Sequence, residues 1–396
     1  MNRGAIAEVS LPALACNLQT VRNIVGNRPV IAVVKADAYG HGAVEVSKKL
    51  IHEGASSLAV AYAGEAVELR ESGIDAPIIV LFDRECCSAF FDLRLTPVIH
   101  DIETAYTLSA EAKRRNTILP VHVKIDTGMG RLGLQSSRVV DDLLTIARIA
   151  GLEFRGLLTH FSEADLLDRS YALLQLQRFN AVRETLERTI SKRIFSHVAN
   201  SAAVLSFQDA HLDAVRPGIM LYGYSPFGGT TKARKKDSGN RIQETEFADS
   251  AKPELQTLSP ELPKLIPAMT VKTKILSLRR VSSGTPISYG RTFVTRRPSL
   301  IGVIPVGYAD GYNRLFSNNA DVLVKGKRAP VAGRVCMDLT MVDVTEIEGV
   351  SENDEVFIIG RQGSDEITAD ELAGRANTIS YEVLTALGSR SGKRYV

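Results

Sequence analysis

Tryptophan is missing from the 396 residues, which by itself decides nothing, but the other scarcities exclude whole classes. There are four cysteines, Cys16, Cys86, Cys87 and Cys336. They lack zinc-type spacing, and vicinal Cys86-Cys87 is a poor geometry for a disulfide, so reduced thiols in a cytoplasmic protein are expected. No window is apolar and uncharged for the eighteen or so residues that a membrane-spanning helix needs. The opening Met1-Asn2-Arg3-Gly4-Ala5-Ile6-Ala7-Glu8 has no unbroken apolar signal core, so neither a leader nor a membrane anchor is expected. A net charge of +3 is too small to argue for nucleic acid or an anionic lipid surface as partner. No Gly-x-Gly-x-x-Gly follows an early strand, which weakens a doubly wound dinucleotide fold. No Walker-type lysine loop occurs either, which disfavours a nucleoside triphosphate.

What is present is an ordinary globular mixture, 44% hydrophobic and 23% charged, long enough for two domains. Short β-branched runs at Val30 to Lys35, Leu58 to Tyr62, Pro77 to Leu81, Pro97 to His100, Val121 to Asp126, Phe154 to His160, Ile194 to Val198 and Ala214 to Leu221 read as strands. Helical periodicity lies between most of them, at Val44 to Ile51, Ala63 to Glu71, Ile102 to Arg114, Val139 to Ala150 and Tyr171 to Ile190. That alternation predicts an α/β fold, a (β/α)8 TIM-like barrel over residues 1–227. Residues 228–264 are rich in Lys, Arg, Ser, Thr, Glu and Pro, with a basic run at Lys232 to Lys236, and are expected to be a mobile linker or surface insertion. From 265 to 396, crowded short strands broken by glycine turns predict a mostly antiparallel β domain. It starts with a continuous strand from Met269 to Arg280 and ends in two helices. The strand Ala5 to Val9 is a candidate to pair with this second domain.

Polar residues gather where a barrel keeps its chemistry, at the C-terminal ends of the strands. Val33-Val34-Lys35-Ala36-Asp37-Ala38-Tyr39-Gly40-His41-Gly42 delivers a lysine at the end of an apolar run, followed by what reads as a helix. Partial desolvation there lowers a lysine's pKa and frees its amine as nucleophile or base. The plainer reading is a lysine reaching solvent over the sheet rim. Lys124-Ile125-Asp126-Thr127-Gly128-Met129-Gly130-Arg131 sets two cations on one tight loop, which would require an anion between them inside a cleft. His160 also ends a strand, and the Asn200-Ser201 turn and Arg216-Pro217-Gly218-Ile219, after later strands, could give hydroxyl and N–H donors to a phosphate. Farther on, Ser288-Tyr289-Gly290, Gly307-Tyr308-Ala309-Asp310-Gly311 and Cys336-Met337-Asp338 set side chains in turns that have no cleft of their own. Such groups fit lining another site.

These motifs, in this order through Thr378-Ile379-Ser380-Tyr381-Glu382, resemble the alanine racemases, and the resemblance covers everything except residues 228–264. It implies a pyridoxal 5'-phosphate enzyme with a barrel and a C-terminal β domain, working as a head-to-tail homodimer on alanine in the cytoplasm and supplying D-alanine for bacterial peptidoglycan. Carried over by motif, Lys35 would hold the cofactor and act as base on one face of the substrate Cα. Tyr289 of the partner subunit would act on the other face. Tyr39, Ser201, Gly218, Ile219 and Tyr381 match phosphate ligands, and His160 and Arg216 match the network at the cofactor ring. Arg131 and the Met337 backbone match substrate contacts, and Tyr308 and Asp338 would sit at the pocket mouth. Lys124 matches a position often carbamylated, which turns a cation into the anion its spacing from Arg131 demands. No metal is implied. A broader-specificity racemase of the same fold, or a non-catalytic pyridoxal-phosphate carrier, are the rival readings. The bulky Tyr289, Tyr308 and Tyr381 favour a narrow alanine pocket, and the presence of a β domain argues against the carrier.

Overall fold

A computed structural model describes residues 4–85, 87–135, 138–228 and 263–396. The first part alternates strands and helices: β1 (Ile6–Val9), α1 (Leu11–Val25), β2 (Ile31–Val33), α2 (Lys35–Gly40), α3 (Ala43–His52), β3 (Ser57–Val60), α4 (Ala63–Glu71), β4 (Ile78–Val80) and α5 (Cys87–Asp92). It continues through β5 (Thr96–Ile99), α6 (Ile102–Arg114), β6 (Leu119–Lys124), α7 (Val139–Arg148), β7 (Leu152–Leu158), α8 (Ser170–Ile190), β8 (Phe195–His197) and α9 (Ser201–Ser206). From β2 to β8 the strands pair in sequence order, each parallel to the next. They are short and almost wholly buried, as strands covered by helices on one face and packed against each other on the other must be.

The ring closes through an extended segment too short to be a strand. Val30 and Val215 form a parallel bridge. The Ile31 and Val33 N–H groups donate to the Val215 and Pro217 carbonyls at 2.9 and 3.1 Å, while the Arg216 N–H donates to the Ala199 carbonyl at 2.8 Å. The eighth stave therefore exists, but the strand expected over Ala214 to Leu221 does not. Pro217 has no N–H to continue a ladder, and Ile219–Tyr222 coils into a 3-10 helix.

The sense of the turn after β2 also differs from the helix expected there. Ala36, Asp37, Ala38 and Tyr39 have φ of 54, 53, 52 and 55°, so α2 is a left-handed turn built from residues with side chains. Such backbone costs on the order of 1–2 kcal/mol per residue and needs external bonds to hold it. Glu65 accepts from the Ala36 N–H at 2.6 Å, and Asp37 accepts from the Ala43 N–H at 2.7 Å. Lys393, near the C-terminus, pairs with the other Asp37 oxygen at 2.8 Å.

The second part is β9 (Met269–Lys274), β10 (Ser277–Val281), β11 (Pro286–Ile287), β12 (Phe293–Val294), β13 (Ser299–Ile304), β14 (Asp321–Val324), β15 (Lys327–Pro330), β16 (Thr340–Asp343), β17 (Glu355–Gln362), β18 (Asp365–Ile367), α10 (Ala369–Arg375), α11 (Ser380–Arg390) and β19 (Gly392–Tyr395). Its main sheet runs β15-β14-β17-β9-β1-β19, with β1 antiparallel to β9 and parallel to β19, so the first strand of the chain lies in the sheet made by its last residues. A second sheet runs β10-β13-β16. The single strand expected from Met269 to Arg280 is two. The Ile275 N–H donates to Asp354 and the Leu276 N–H to Val303, so the chain changes partners and enters the other sheet. Helix α11 lies directly on the left-handed turn, where a Cβ on Gly388 would sit 2.2 Å from the Gly40 carbonyl oxygen. The segment expected to be mobile falls mainly on residues 229–262, outside those described, and the Lys232 to Lys236 run lies there too.

Candidate active site

A cavity of about 350 Å³ opens at the C-terminal rim of the parallel strands. Ten of the residues singled out from sequence line it: Lys35, Tyr39, Lys124, Arg131, His160, Ser201, Arg216, Gly218, Ile219 and Tyr381. The first nine come from the barrel, while Tyr381 arrives from the first turn of α11. The left-handed turn aims Tyr39 across the floor, where its ring packs on Tyr222 at 4.8 Å and Tyr381 at 5.9 Å between centroids. Gly218 makes room for that hydroxyl, since a Cβ there would lie 2.4 Å from it. The Ser201 hydroxyl accepts from the Gly218 N–H at 2.9 Å, which leaves its own proton to donate into the cavity.

The loop after β6 is shaped by Asp126, whose carboxylate accepts from the N–H groups of Gly128, Met129 and Arg131 at 2.8–2.9 Å. Burial alone would raise this carboxyl, but those N–H groups outweigh it and hold its pKa below the usual value. The loop brings Arg131 to Lys35 and Lys124. Burial first, and Arg131 second, push both lysines down, Lys124 to about 8. Glu65 partly opposes the shift on Lys35. Phe82 sits beneath both cations, 5.4 Å from the Lys35 amine and 5.5 Å from the Arg131 guanidinium, so an aromatic face also takes part of their charge. Among the described residues, the buried Lys124 amine has no hydrogen-bond partner.

Arg216 is 5% exposed, and burial lowers its pKa to about 10. Its guanidinium donates to the Thr159 carbonyl at 2.7 Å, to the His197 carbonyl, and to His197 Nδ1 at 2.7 Å. An arginine can only donate, so Nδ1 of His197 is the acceptor and its proton sits on Nε2. That nitrogen meets Nδ1 of His122 at 2.8 Å, which fixes the second tautomer as well. Burial keeps both rings neutral, with His122 lowered to about 4 and His197 well below the ordinary value. His160 is held neutral by burial and then by the surrounding cations Arg216, Arg131, Lys124 and Lys35.

Four expected site residues are elsewhere in this chain. Tyr289, Tyr308, Met337 and Asp338 do not line the cavity. Three turns bring them together instead: the Ser288 hydroxyl donates to the Arg334 carbonyl at 2.6 Å, and the Tyr308 and Ala309 N–H groups donate to the Cys336 and Met337 carbonyls at 3.0 Å. Gly307 permits that approach, since a Cβ would be 2.3 Å from both carbonyl oxygens. Tyr289 is 70% exposed, Met337 53% and Tyr308 44%. Sequence reading missed Phe82, Glu65, Tyr222, His122 and His197. The two histidines were detectable, because His122 alternates with Lys124 along β6 and so shares its inward face.

Residues 9–226 match the family model for the alanine racemase N-terminal domain, and residues 268–395 match that for the alanine racemase C-terminal domain. The chain belongs to the alanine racemase family. It is 46% identical over 400 residues to the alanine racemase of Thermodesulfovibrio yellowstonii, covering 100% of this chain and 99% of that one. Among solved structures, the alanine racemase of Bacillus anthracis with bound L-Ala-P superposes with a TM-score of 0.85 at 32% identity, covering 100% and 96%. That of Bartonella henselae with covalently bound pyridoxal phosphate gives 0.82 at 28% identity, covering 99% of each. No described helix is long and apolar enough to cross a membrane, and the described residues contain no group of three or more His, Cys, Asp or Glu that could hold a metal ion.

Proposed function

We infer that this pocket is where the chain carries out its reaction, the interconversion of L- and D-alanine with pyridoxal 5'-phosphate, which in this family supplies D-alanine for peptidoglycan. The observation that carries the assignment is the convergence of a desolvated Lys35 with Arg216, Tyr39, Ser201 and Tyr381 on one cavity. The cavity fits such a cofactor. Its volume suits a small aromatic phosphate, Gly218 keeps the floor open, and hydroxyl donors face cations across it. Bound there, the cofactor withdraws electrons from the substrate Cα and so makes its proton removable.

In our reading, Lys35 holds the cofactor and moves the proton at one face of Cα, its lowered pKa keeping the amine available as a base. Tyr39, Ser201, Gly218, Ile219 and Tyr381 hold the phosphate. Arg216, oriented by His197, bonds the ring nitrogen without giving it a proton, which restrains electron withdrawal and side reactions. Arg131 and the Met337 backbone hold the substrate carboxylate, and Lys124 carries a carbamate beside Arg131. That modification is supported by a buried amine with no partner next to a fixed cation.

Racemisation needs a second group on the opposite face. Tyr289 is our candidate, and its absence from its own chain's cavity supports a role in a second copy. We therefore propose a cytoplasmic homodimer in which Tyr289, Tyr308, Met337 and Asp338 of each chain complete the partner's site. We also propose units at 1–227 and 265–396 joined by 228–264, a division supported by matched family regions that stop at 226 and resume at 268. The test is a racemisation assay across several amino acids with Lys35→Ala and Tyr289→Phe. Strict alanine use lost in both variants supports the reading. Parent rates in Tyr289→Phe with both enantiomers contradict the two-base assignment, and cofactor colour without turnover in the parent enzyme would favour a carrier.

A further inference from the structure

His100 has no part in the chemistry described so far, yet its place in the barrel is unusual. β5 and β6 run parallel with Ile99 opposite Val123, so His100 and Lys124 are the next matched pair. Matched residues of adjacent parallel strands project from one face, and Lys124 lines the cavity, so both face the barrel interior. Each is 4% exposed. Among the described residues, the Lys124 amine and both ring nitrogens of His100 lack a hydrogen-bond partner of ordinary geometry. The Leu81 backbone bonds the ring more loosely and raises its pKa. Burying polar atoms without full partners is unfavourable, and these adjoining ones call for a group that would satisfy them together.

The charges around the ring come from Lys124 on β6, from Asp101 at the start of α6, and from Arg84 after β4, which is paired with Asp101. Burial first and the Lys124 cation second hold His100 down to about 4. A neutral Lys124 removes the second effect and an anion at that position reverses it, so either change makes His100 a better proton acceptor.

We propose that His100 takes the proton released when Lys124 adds carbon dioxide, and then holds the resulting carbamate together with Arg131. This rests on the carbamate reading given above. The uncharged amine of Lys124 attacks the carbon of carbon dioxide. The N–C bond forms, one C–O π pair moves onto oxygen, and the surplus N–H proton passes to the free lone pair of a His100 ring nitrogen. A neutral amine, a neutral imidazole and carbon dioxide become a carbamate anion and an imidazolium, with no oxidant or further reactant. The protonated His100 nitrogen then donates to the carbamate, and the anion lies between two cations.

The test uses full-length holoenzyme equilibrated with 13C-bicarbonate. The carbamate is read by 13C NMR and located by mass spectrometry after alkyl trapping, in the parent and in His100→Phe, His100→Gln and Lys124→Ala. Label on Lys124 in the parent, absent from Lys124→Ala, with half-saturating carbon dioxide raised about tenfold in His100→Phe, supports the proposal. That change is the size of one lost charge-assisted hydrogen bond. His100→Gln, which can bond the carbamate but cannot take the proton, keeps label closer to the parent level and acquires it more slowly. Should His100→Phe fold poorly, this second variant decides. Parent-like affinity and rate in the His100 variants overturn the role of His100 while leaving the carbamate intact. A parent enzyme without label overturns both.

Discussion

The cavity rim and the tyrosine turns of the β part carry comparable chemistry but are built in opposite ways. At the rim, Lys35, Lys124, His160 and Arg216 are buried enough for their pKa values to move, and Arg216 is fixed by Thr159 and His197. In the turns, Tyr289, Tyr308 and Met337 stand in solvent, and what is fixed is the backbone beneath them, through Ser288, Gly307 and the Cys336 and Met337 carbonyls. A group prepared for chemistry is usually desolvated. The rim has that property within one chain; the turns can acquire it only when something covers them.

The largest effect expected from breaking this contrast is at Lys35. If Lys35 holds the cofactor and acts as a base, as proposed, Lys35→Ala removes both, and alanine racemisation should fall by at least about 10⁴-fold, with loss of the bound cofactor's visible absorbance. Tyr289→Phe leaves the rim untouched and should cost about 10²–10⁴-fold. Because the proposed base would serve one face of Cα, the loss should be read as unequal washout of the α-proton from L- and D-alanine in heavy water. Gly218→Ala adds a methyl where only 2.4 Å is free beneath the Tyr39 hydroxyl. Overpacking of about 1–3 kcal/mol should weaken cofactor binding about tenfold or more, measured by titrating the enzyme with the cofactor, and should have no counterpart among the exposed turns.

A smaller effect concerns pH. His122 and His41 are buried and lowered to about 4, His41 by burial against the opposing pull of its Tyr39 and Ala38 carbonyl bonds. Above the ordinary histidine value, near 6.5, both rings are neutral folded or unfolded and no stability is lost. As pH falls from there toward 4 only the unfolded chain takes up protons, so stability declines by on the order of 2–3 kcal/mol per histidine. Denaturant melts between pH 7 and 4 should show that decline. His122→Phe should flatten it, and Tyr289→Phe should not. The smallest effect is expected at Lys393→Ala, which removes the ion pair on Asp37 and should loosen the left-handed turn by about 1 kcal/mol, seen as faster amide exchange at Ala36 to Tyr39.

The rim was legible in sequence because its chemistry falls at strand ends. Lys35, Lys124, His160, Ser201 and Arg216 could each be placed there by apolar periodicity alone, and the structure gathers them on one cavity. The handedness of residues 36–39 was not legible, since Ala, Asp, Ala and Tyr carry no left-handed preference as a run. Tertiary bonds from Glu65 and Lys393 impose it. Phe82 was hidden because a phenylalanine after a strand reads as packing, and its value lies in which cations happen to reach it. The eighth stave was misread because an apolar run through Val215 looks continuous, while Pro217 ends its ladder. For the turns, the sequence identified the residues but carries nothing that says which copy of the chain they serve.

That last point is the central claim, and mixing two inactive variants tests it most directly. Lys35→Ala and Tyr289→Phe are to be co-expressed, or mixed under conditions that allow subunit exchange, and assayed for alanine racemisation. If each site takes Lys35 from one chain and Tyr289 from the other, the mixed dimers hold one complete site each, and about a quarter of the parent activity should return under random pairing of a two-fold symmetric dimer. If both residues serve their own chain, no mixed species contains a complete site, and activity no higher than that of the separate variants would contradict the account.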